Sequence, residues 1–298
     1  MSSQSSIVEG SSKTAAIVTM CAGVLFLATN DAIVKWLVTR YDPFQIVFVR
    51  SLIALPIIVT LVCLIESPKA LRSARLPIHA LRGVLGVGAS FAFILSLKSL
   101  PLAEATALVF ASPLVVAGLS APLLKEHVGW ARAAAIVVGF IGVLIIVQPG
   151  AATFQVASLL AVGASVLYAL VMLSARWIDK RDSIWTMMLY MTLFAALLSA
   201  FTVFTAWPTP EFADLLLFVG TAVAGTLGLT LISQAFRMAP AAVVAPYDYT
   251  ALIWASFLGW MIWGVVPGLW TYVGAAVIIA GGTYLIYSEP NSETGTPS

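Results

Sequence analysis

Charge is what this chain has least of. Charged residues fill 9% of its 298 positions, against about 25% in soluble domains, which excludes an ordinary hydrated surface. The net formal charge of +2 is too small to suggest a nucleic-acid partner. Cysteine is scarce too. Cys21 and Cys63 both fall inside apolar runs and read as small buried hydrophobes, with no disulfide framework or metal spacing. His79 and His127 are the two histidines, and neither sits at a spacing suited to a metal site. The sequence contains no HExxH, GxSxG or Walker A motif. Enzymatic chemistry, a bound metal, a resident cofactor and energy from a P-loop ATP site are therefore not expected. No cleavable signal peptide is apparent, because the polar lead MSSQSSIVEGSSK runs straight into a span long enough to cross a membrane.

What is abundant is apolar length. Hydrophobic residues make up 61% of the chain and the mean hydropathy is +1.02. A transmembrane helix needs about 20 mostly apolar residues. Ten such stretches are expected, near 14–36, 43–65, 80–99, 102–124, 130–148, 153–175, 184–206, 212–237, 240–263 and 267–287. Sustained period-two alternation is missing, so these are helices rather than barrel strands, and the fold class is an all-α polytopic membrane protein. Residues 1–12 and 288–298 are polar and read as disordered ends. With the N-terminus in the cytoplasm, eleven of the fifteen Lys and Arg residues fall on the cytoplasmic side and Lys35, Arg40, Arg50 and Lys98 on the other. That bias sets both termini inside, in a bacterial inner membrane.

The chain also resembles itself. LKSLPLAEATALVF (97–110) aligns with FRMAPAAVVAPYDY (236–249), pairing Lys98 with Arg237 and Pro101 with Pro240. GWARAAAIVVGFIGVLI (129–145) aligns with LWTYVGAAVIIAGGTYL (269–285), pairing Trp130 with Trp270. The offset is 139 or 140 in both. The first repeat then covers 14–148 and the second 153–287. Each holds five spans, an odd number, so the second half enters upside down. Such inverted repeats place a substrate site between the halves near the midplane.

NDAIVKWL (30–37), FQIVFVR (44–50), LRGVLG (81–86), LPLAEATALVFASPLVVAGLSAPLLKEHVGW (100–130), VGFIGVLIIVQPG (138–150), VAPYDYTALIWA (244–255) and LWTYVGAAVIIAGG (269–282) carry a family likeness. Over about residues 14–287 the chain resembles the EamA-type ten-helix members of the drug/metabolite transporter superfamily, and looks most like the YddG-type amino-acid exporters. The resemblance implies a secondary transporter working by alternating access, exporting small amphipathic metabolites, amino acids and aromatic ones among them. Carriers of riboflavin or S-adenosylmethionine share similar motifs and are the alternative, as is a passive facilitator. One departure stands out. The family often has an acid after the ninth helix that matches Glu126, and here Val265 or Val266 takes its place.

Polar residues within the spans are the candidate site. Asp248 lies about eight residues into its span, about 12 Å deep, where an acid costs about 2.5–3.5 kcal/mol on insertion scales. It either faces a wet cavity, holding a substrate ammonium or a proton, or pairs with a group on another helix such as Gln234. Tyr247 and Tyr249 flank it. Phe110, Tyr168 and Trp254 fall well inside their spans and are candidate cavity aromatics, with Asn30 as a further polar contact. Asp31, Lys35, Arg50, Lys98 and Glu104 gather toward the outer face. Asp31 and Lys35 have i,i+4 spacing, and the five read as a structural or gate-closing charge network. Pro113 and Pro246 each delete a backbone hydrogen bond and serve as hinges or fixed kinks. Ala131, Ala135 and Gly139, echoed by Ala276 and Ala280, form small-residue stripes. These suit packing within a monomer or a weak homodimer face. The expected partners are a small-molecule substrate and the lipid bilayer.

Overall fold

The computed structural model describes residues 2–66, 71–73, 75–124, 130–151, 154–178, 182–201 and 207–288. Among the described residues there are helices and no strand. In chain order the helices are α1 (Ser2–Leu37), α2 (Pro43–Ile65), α3 (Leu76–Ser96), α4 (Leu102–Val109), α5 (Ser112–Leu124) and α6 (Trp130–Val147). The second half supplies α7 (Val156–Ser174), α8 (Ile184–Ser199), α9 (Phe212–Met238), α10 (Ala241–Val244), α11 (Thr250–Trp263) and α12 (Leu269–Ser288). Six helical stretches are long and apolar enough to cross a membrane: Lys13–Leu37, Pro43–Ile65, Leu76–Ser96, Leu102–Ser120, Val156–Ser174 and Phe212–Met238. Three shorter apolar ones, Ala133–Val147, Ile184–Ser199 and Leu269–Leu285, accompany them.

Local chemistry sets the ends of these helices. Asp42 caps α2, its carboxylate accepting from the Phe44 N–H at 2.8 Å, with Pro43 supplying a residue that needs no N–H partner. Gly264 stops α11 in the left-handed region, φ 65°, and its N–H returns to the Trp260 carbonyl. Two expectations change at the chain ends. The backbone is helical from Ser2, so residues 2–12, expected to be disordered, extend the first helix; propagation from an established helix adds one hydrogen bond per residue. Residues 289–298 of the expected tail, and Glu126 with His127, lie outside the described residues.

Two expected spans are broken rather than continuous. The stretch 102–124 divides at Phe110 and Ala111 into α4 and α5, with Pro113 in the first turn of α5. The stretch 240–263 begins with the four-residue α10, passes through a 3₁₀ turn at Ala245–Tyr249 that contains Pro246, and continues as α11. Proline removes a backbone donor in each case. Under the internal repeat, Phe110 corresponds to Tyr249, so the two breaks occupy equivalent places.

Packing follows the same repeat. Taking α1–α6 as equivalent to α7–α12, the contact of α1 with α9 is matched by that of α7 with α3. The contact of α1 with α11 is matched by α7 with α4 and α5, and that of α2 with α9 by α8 with α3. The remaining two large interfaces, α2 with α8 and α6 with α12, join equivalent helices. Small residues allow the closest approaches. Gly142 meets Gly274 and Ile278, while Ala135 and Gly139 meet Gly281, so residue numbers rise on α6 as they fall on α12 and the two run antiparallel. Gly23 against Gly228, and Ile33 against Gly220, give the same sense for α1 and α9. Ala135 and Gly139 thus pack within the monomer. Ala276 and Ala280 do not, being exposed; α12 instead buries Gly274, Ala275, Ile278 and Gly281.

A methyl group on Gly142 would lie 2.8 Å from the Gly274 carbonyl oxygen, and one on Gly274 would lie 2.6 Å from that of Gly142. These neighbours are backbone and cannot swing aside. G142A and G274A are expected to destabilise the protein by about 1–3 kcal/mol, read as a lower thermal midpoint in detergent. G163A, with nothing within 4 Å of the added carbon, should not lower it.

Candidate functional site

Asp248 lies in the 3₁₀ turn of the interrupted span, not on a regular helix. Turns of this kind advance by three residues rather than 3.6, so its neighbours are splayed differently from the helical expectation. Tyr249 is buried, whereas Tyr247 is 37% exposed. Asp248 itself is only partly buried. No hydrogen bond or ion pair from a described residue reaches its carboxylate. Gln234, a candidate partner, sits exposed on α9 and is not bonded to it. Tyr168 of α7 lies within electrostatic reach of Asp248, of Asp31 on α1 and of Arg82 on α3. Groups from four separate elements therefore lie near one another. Tyr168 is 40% exposed.

Phe110, at the break between α4 and α5, places its ring 5.2 Å from that of Tyr249 at an interplanar angle of 55°. Asn30 is buried; its amide donates to Asp31 Oδ1 at 2.9 Å and so orients that carboxylate. Arg50 from α2 supports Asp31 electrostatically. Trp254 packs against two hydrophobic clusters, one of them built from Ala16, Met20, Val24, Ala235, Ala239 and Val244. Hence Asp31, Tyr168, Asp248, Phe110 and Tyr249 come together, with Arg50 and Arg82 at the margin, while Gln234 and Trp254 serve elsewhere.

The expected five-charge network separates into pieces. Lys35 does not pair with Asp31. Its ammonium donates to the carbonyls of Leu97 and Leu100, both at 2.7 Å, and lies 5.5 Å from the centre of the Trp263 ring. The carbonyls left free at the end of α3 attract a cation more directly than a carboxylate one turn away. Glu104 lies near Ser158 of α7, and Lys98 is exposed. Beside Lys35 a cleft of about 180 Å³ opens between Pro101, Gly259, Trp263 and Pro267, away from Asp248.

Two polar clusters had no signal in the sequence. Where α1 turns into α2, Arg40 reaches Asp214 at 3.1 Å and the Tyr41 hydroxyl donates to the same oxygen at 2.7 Å. Gln45 nearby donates to the Pro208 carbonyl at 2.8 Å. At the other end of α2, Asp182 accepts from Ser73 and faces His79 Nε2 at 3.0 Å, with the His79 ring stacked on Tyr190. The first latch ties the α1–α2 loop to the first turn of α9 and, through Gln45, to the α8–α9 loop that precedes it. The second ties the α7–α8 loop to the α2–α3 loop, which is the equivalent pair under the repeat. Arg82, read from sequence only as an inside charge, is buried and bonds to Val171 and Ser174 of α7.

Repeated membrane-length helices define a multi-pass membrane protein. The description of the EamA-like transporter family matches residues 14–148 and again 155–288, and the chain belongs to that family. It is a transporter of the bacterial inner membrane, as its relatives are bacterial and its apolar helices require. It is 29% identical over 280 residues to the "S-adenosylmethionine uptake transporter" of Rickettsia prowazekii, covering 92% of this chain and 94% of that protein. It is 30% identical to the protein of the same name in Rickettsia conorii, over 88% and 89%. The "Riboflavin transporter" of Vibrio cholerae is 29% identical, over 91% and 92%. A solved protein crystal structure superimposes with a TM-score of 0.61 at 18% identity, over 91% and 96% of the two chains, which is a likeness of fold. The expected nearness to amino-acid exporters is corrected by these names, which belong to carriers of cofactor-like solutes.

The Tyr41 phenol is held above its ordinary pKa of 10.0, by burial first and then by its bond to the Asp214 carboxylate. A raised folded value means the latch contributes fully below about pH 10 and weakens as pH climbs past it. D214A should cost about 1–3 kcal/mol, since it strips the buried phenol of its acceptor. The check is the thermal midpoint in detergent at pH 7.5, with D214N losing less than D214A.

Proposed function

We propose that this protein is a secondary carrier for a cationic, nucleoside-bearing metabolite of the S-adenosylmethionine kind, working by alternating access. The observation that carries the reading is Asp248, a carboxylate within the membrane that no described side chain neutralises. A sulfonium or ammonium on the substrate would supply the missing charge. Asp31 adds a second acid facing the same Tyr168 hydroxyl, while Arg50 offers a cation for a substrate carboxylate. Relatives named for S-adenosylmethionine and for riboflavin support a flat heterocyclic solute. Riboflavin is neutral and needs no acid, so the acids favour the cation. An amino-acid exporter remains the second reading, because an α-ammonium would meet the same carboxylate.

The architecture proposed for it is ten spans in two inverted halves with both termini in the cytoplasm. The family description fits twice in tandem. Equivalent helices α6 and α12 run antiparallel, as inversion requires, and the excess of Lys and Arg supports the orientation. Two similar halves in opposite orientation can exchange conformations, turning the Asp248 cavity from one side to the other. Pro113 and Pro246, beside the two breaks, are the proposed hinges.

Purified protein in vesicles preloaded with unlabelled S-adenosylmethionine should take up the labelled compound by counterflow. D248N is expected to cut the initial rate at least tenfold, the effect of losing about 1.4 kcal/mol or more of charge-assisted binding. Downhill flux without counterflow would instead indicate a static facilitator. Movement of neutral amino acids but not of S-adenosylmethionine would return the assignment to the second reading.

A further inference from the structure

Lys35 carries a charge that no carboxylate among the described residues answers. An ammonium has three donors, and two of them go to the Leu97 and Leu100 carbonyls, which are neutral. Asp31, one turn earlier, accepts from Asn30, and Glu104 lies near Ser158 of α7. The Lys35 side chain lines the cleft of about 180 Å³, and so do Leu102 and Ala103, the first two residues of α4. That helix start has no side-chain cap, because Pro101 holds the cap position, so its first N–H groups have no partner within the helix. A cation and an uncapped helix start both favour an anion. Lys98 adds a second cation, exposed beside Ser99, which also lines the cleft.

The surroundings of the cleft are apolar. α1 ends at Leu37, α11 ends at Trp263 and α4 begins at Leu102, so three helix ends meet around it. Trp36 lies 6.5 Å from Trp263, ring to ring. Trp36, Trp260 and Trp270 are exposed, as are Val265, Val266 and Leu269 between α11 and α12. Exposed tryptophans at helix ends mark the level of lipid headgroups. Gly259 keeps the space open: a Cβ built on it meets only the Val265 carbonyl oxygen within 4 Å, at 3.6 Å.

We propose that this cleft is a lipid site, in which the phosphate of an anionic phospholipid meets the Lys35 ammonium and the start of α4. The volume equals roughly six waters at about 30 Å³ each, room for a phosphate and the glycerol carbons next to it. The acyl chains then lie against the exposed Trp and Val side chains. A freely soluble anion would gain nothing from that apolar rim, which is why the lipid is the favoured source of the phosphate. The site lies away from Asp248 and does not depend on which solute the protein carries. Bound lipid joins α1, the α3–α4 turn and α11, so it stabilises the fold.

The test is the thermal midpoint of the full-length protein in neutral detergent, with phosphatidylglycerol or phosphatidylcholine added. The wild type should gain at least about 3 °C more from phosphatidylglycerol than from phosphatidylcholine. K35M and G259L should each lose more than half of that difference, and K35R should keep more than half. G259L fills the cleft while leaving Lys35 and its carbonyl bonds in place, so it decides the matter even if K35M folds poorly. Equal gains from the two lipids in the wild type overturn the site, as does a difference that G259L retains. Lysines elsewhere would then be the cause of any preference for the anionic lipid. Inorganic phosphate added alone should leave the midpoint unchanged. A rise with it that G259L abolishes would assign the cleft to a free anion and overturn the lipid.

Discussion

A carboxylate cannot lie bare in hydrocarbon. That constraint ties the site to the fold here. An acid at the centre of a span must reach water, a cation or a partner side chain, and among the described residues Asp248 has no partner. The backbone around it is irregular for a related reason. A 3₁₀ turn leaves donors and acceptors of its span less well matched than a continuous helix would, and such backbone is tolerated at membrane depth only when buried in protein or facing a wet cavity. Acid, proline and helix break thus occur together within Ala245–Tyr249, and each makes the others more tolerable.

The second organising feature is the correspondence between halves. Interfaces come in matched pairs or join a helix to its own equivalent. The polar latches obey the same rule in position but not in composition. Asp214 gathers Arg40 and Tyr41 at one end of α2, while Asp182 gathers Ser73 and His79 at the other. Glycine makes the antiparallel crossings possible, because a Cβ at Gly142 or Gly274 would strike backbone.

Much of this was legible in the sequence, for definite reasons. Apolar length places the helices within a few residues, since the bilayer sets it. The self-similarity around Pro101 and Pro240 locates the repeat. Asp248 was visible as an acid where none should be. What escaped depends on distance along the chain. Arg40 to Asp214 spans 174 residues and His79 to Asp182 spans 103, and no local pattern signals either. Lys35 shows a subtler failure. Its i,i+4 spacing to Asp31 suggested an ion pair, yet the free carbonyls at the end of α3 win. Pro113 and Pro246 flagged an irregularity in each of two spans, but hydropathy, which measures length and not continuity, gave no sign that the helices break outright at Phe110 and Ala245–Tyr249. Ala276 and Ala280 formed a pattern that pointed to the wrong face of α12, two residues and one residue away from the packing Gly274 and Gly281.

The central claim is that Asp248 faces water between the halves. It is tested most directly by placing a cysteine there, in a chain whose own Cys21 and Cys63 have been replaced by alanine. Asp248→Cys should react with a small membrane-impermeant thiol reagent, and S-adenosylmethionine should slow the reaction. Thr209→Cys, at an exposed position in the loop before α9, would serve as a reference whose reactivity that solute leaves unchanged. A cysteine at 248 that stays inert to the reagent, or reacts at a rate indifferent to S-adenosylmethionine, would contradict the account.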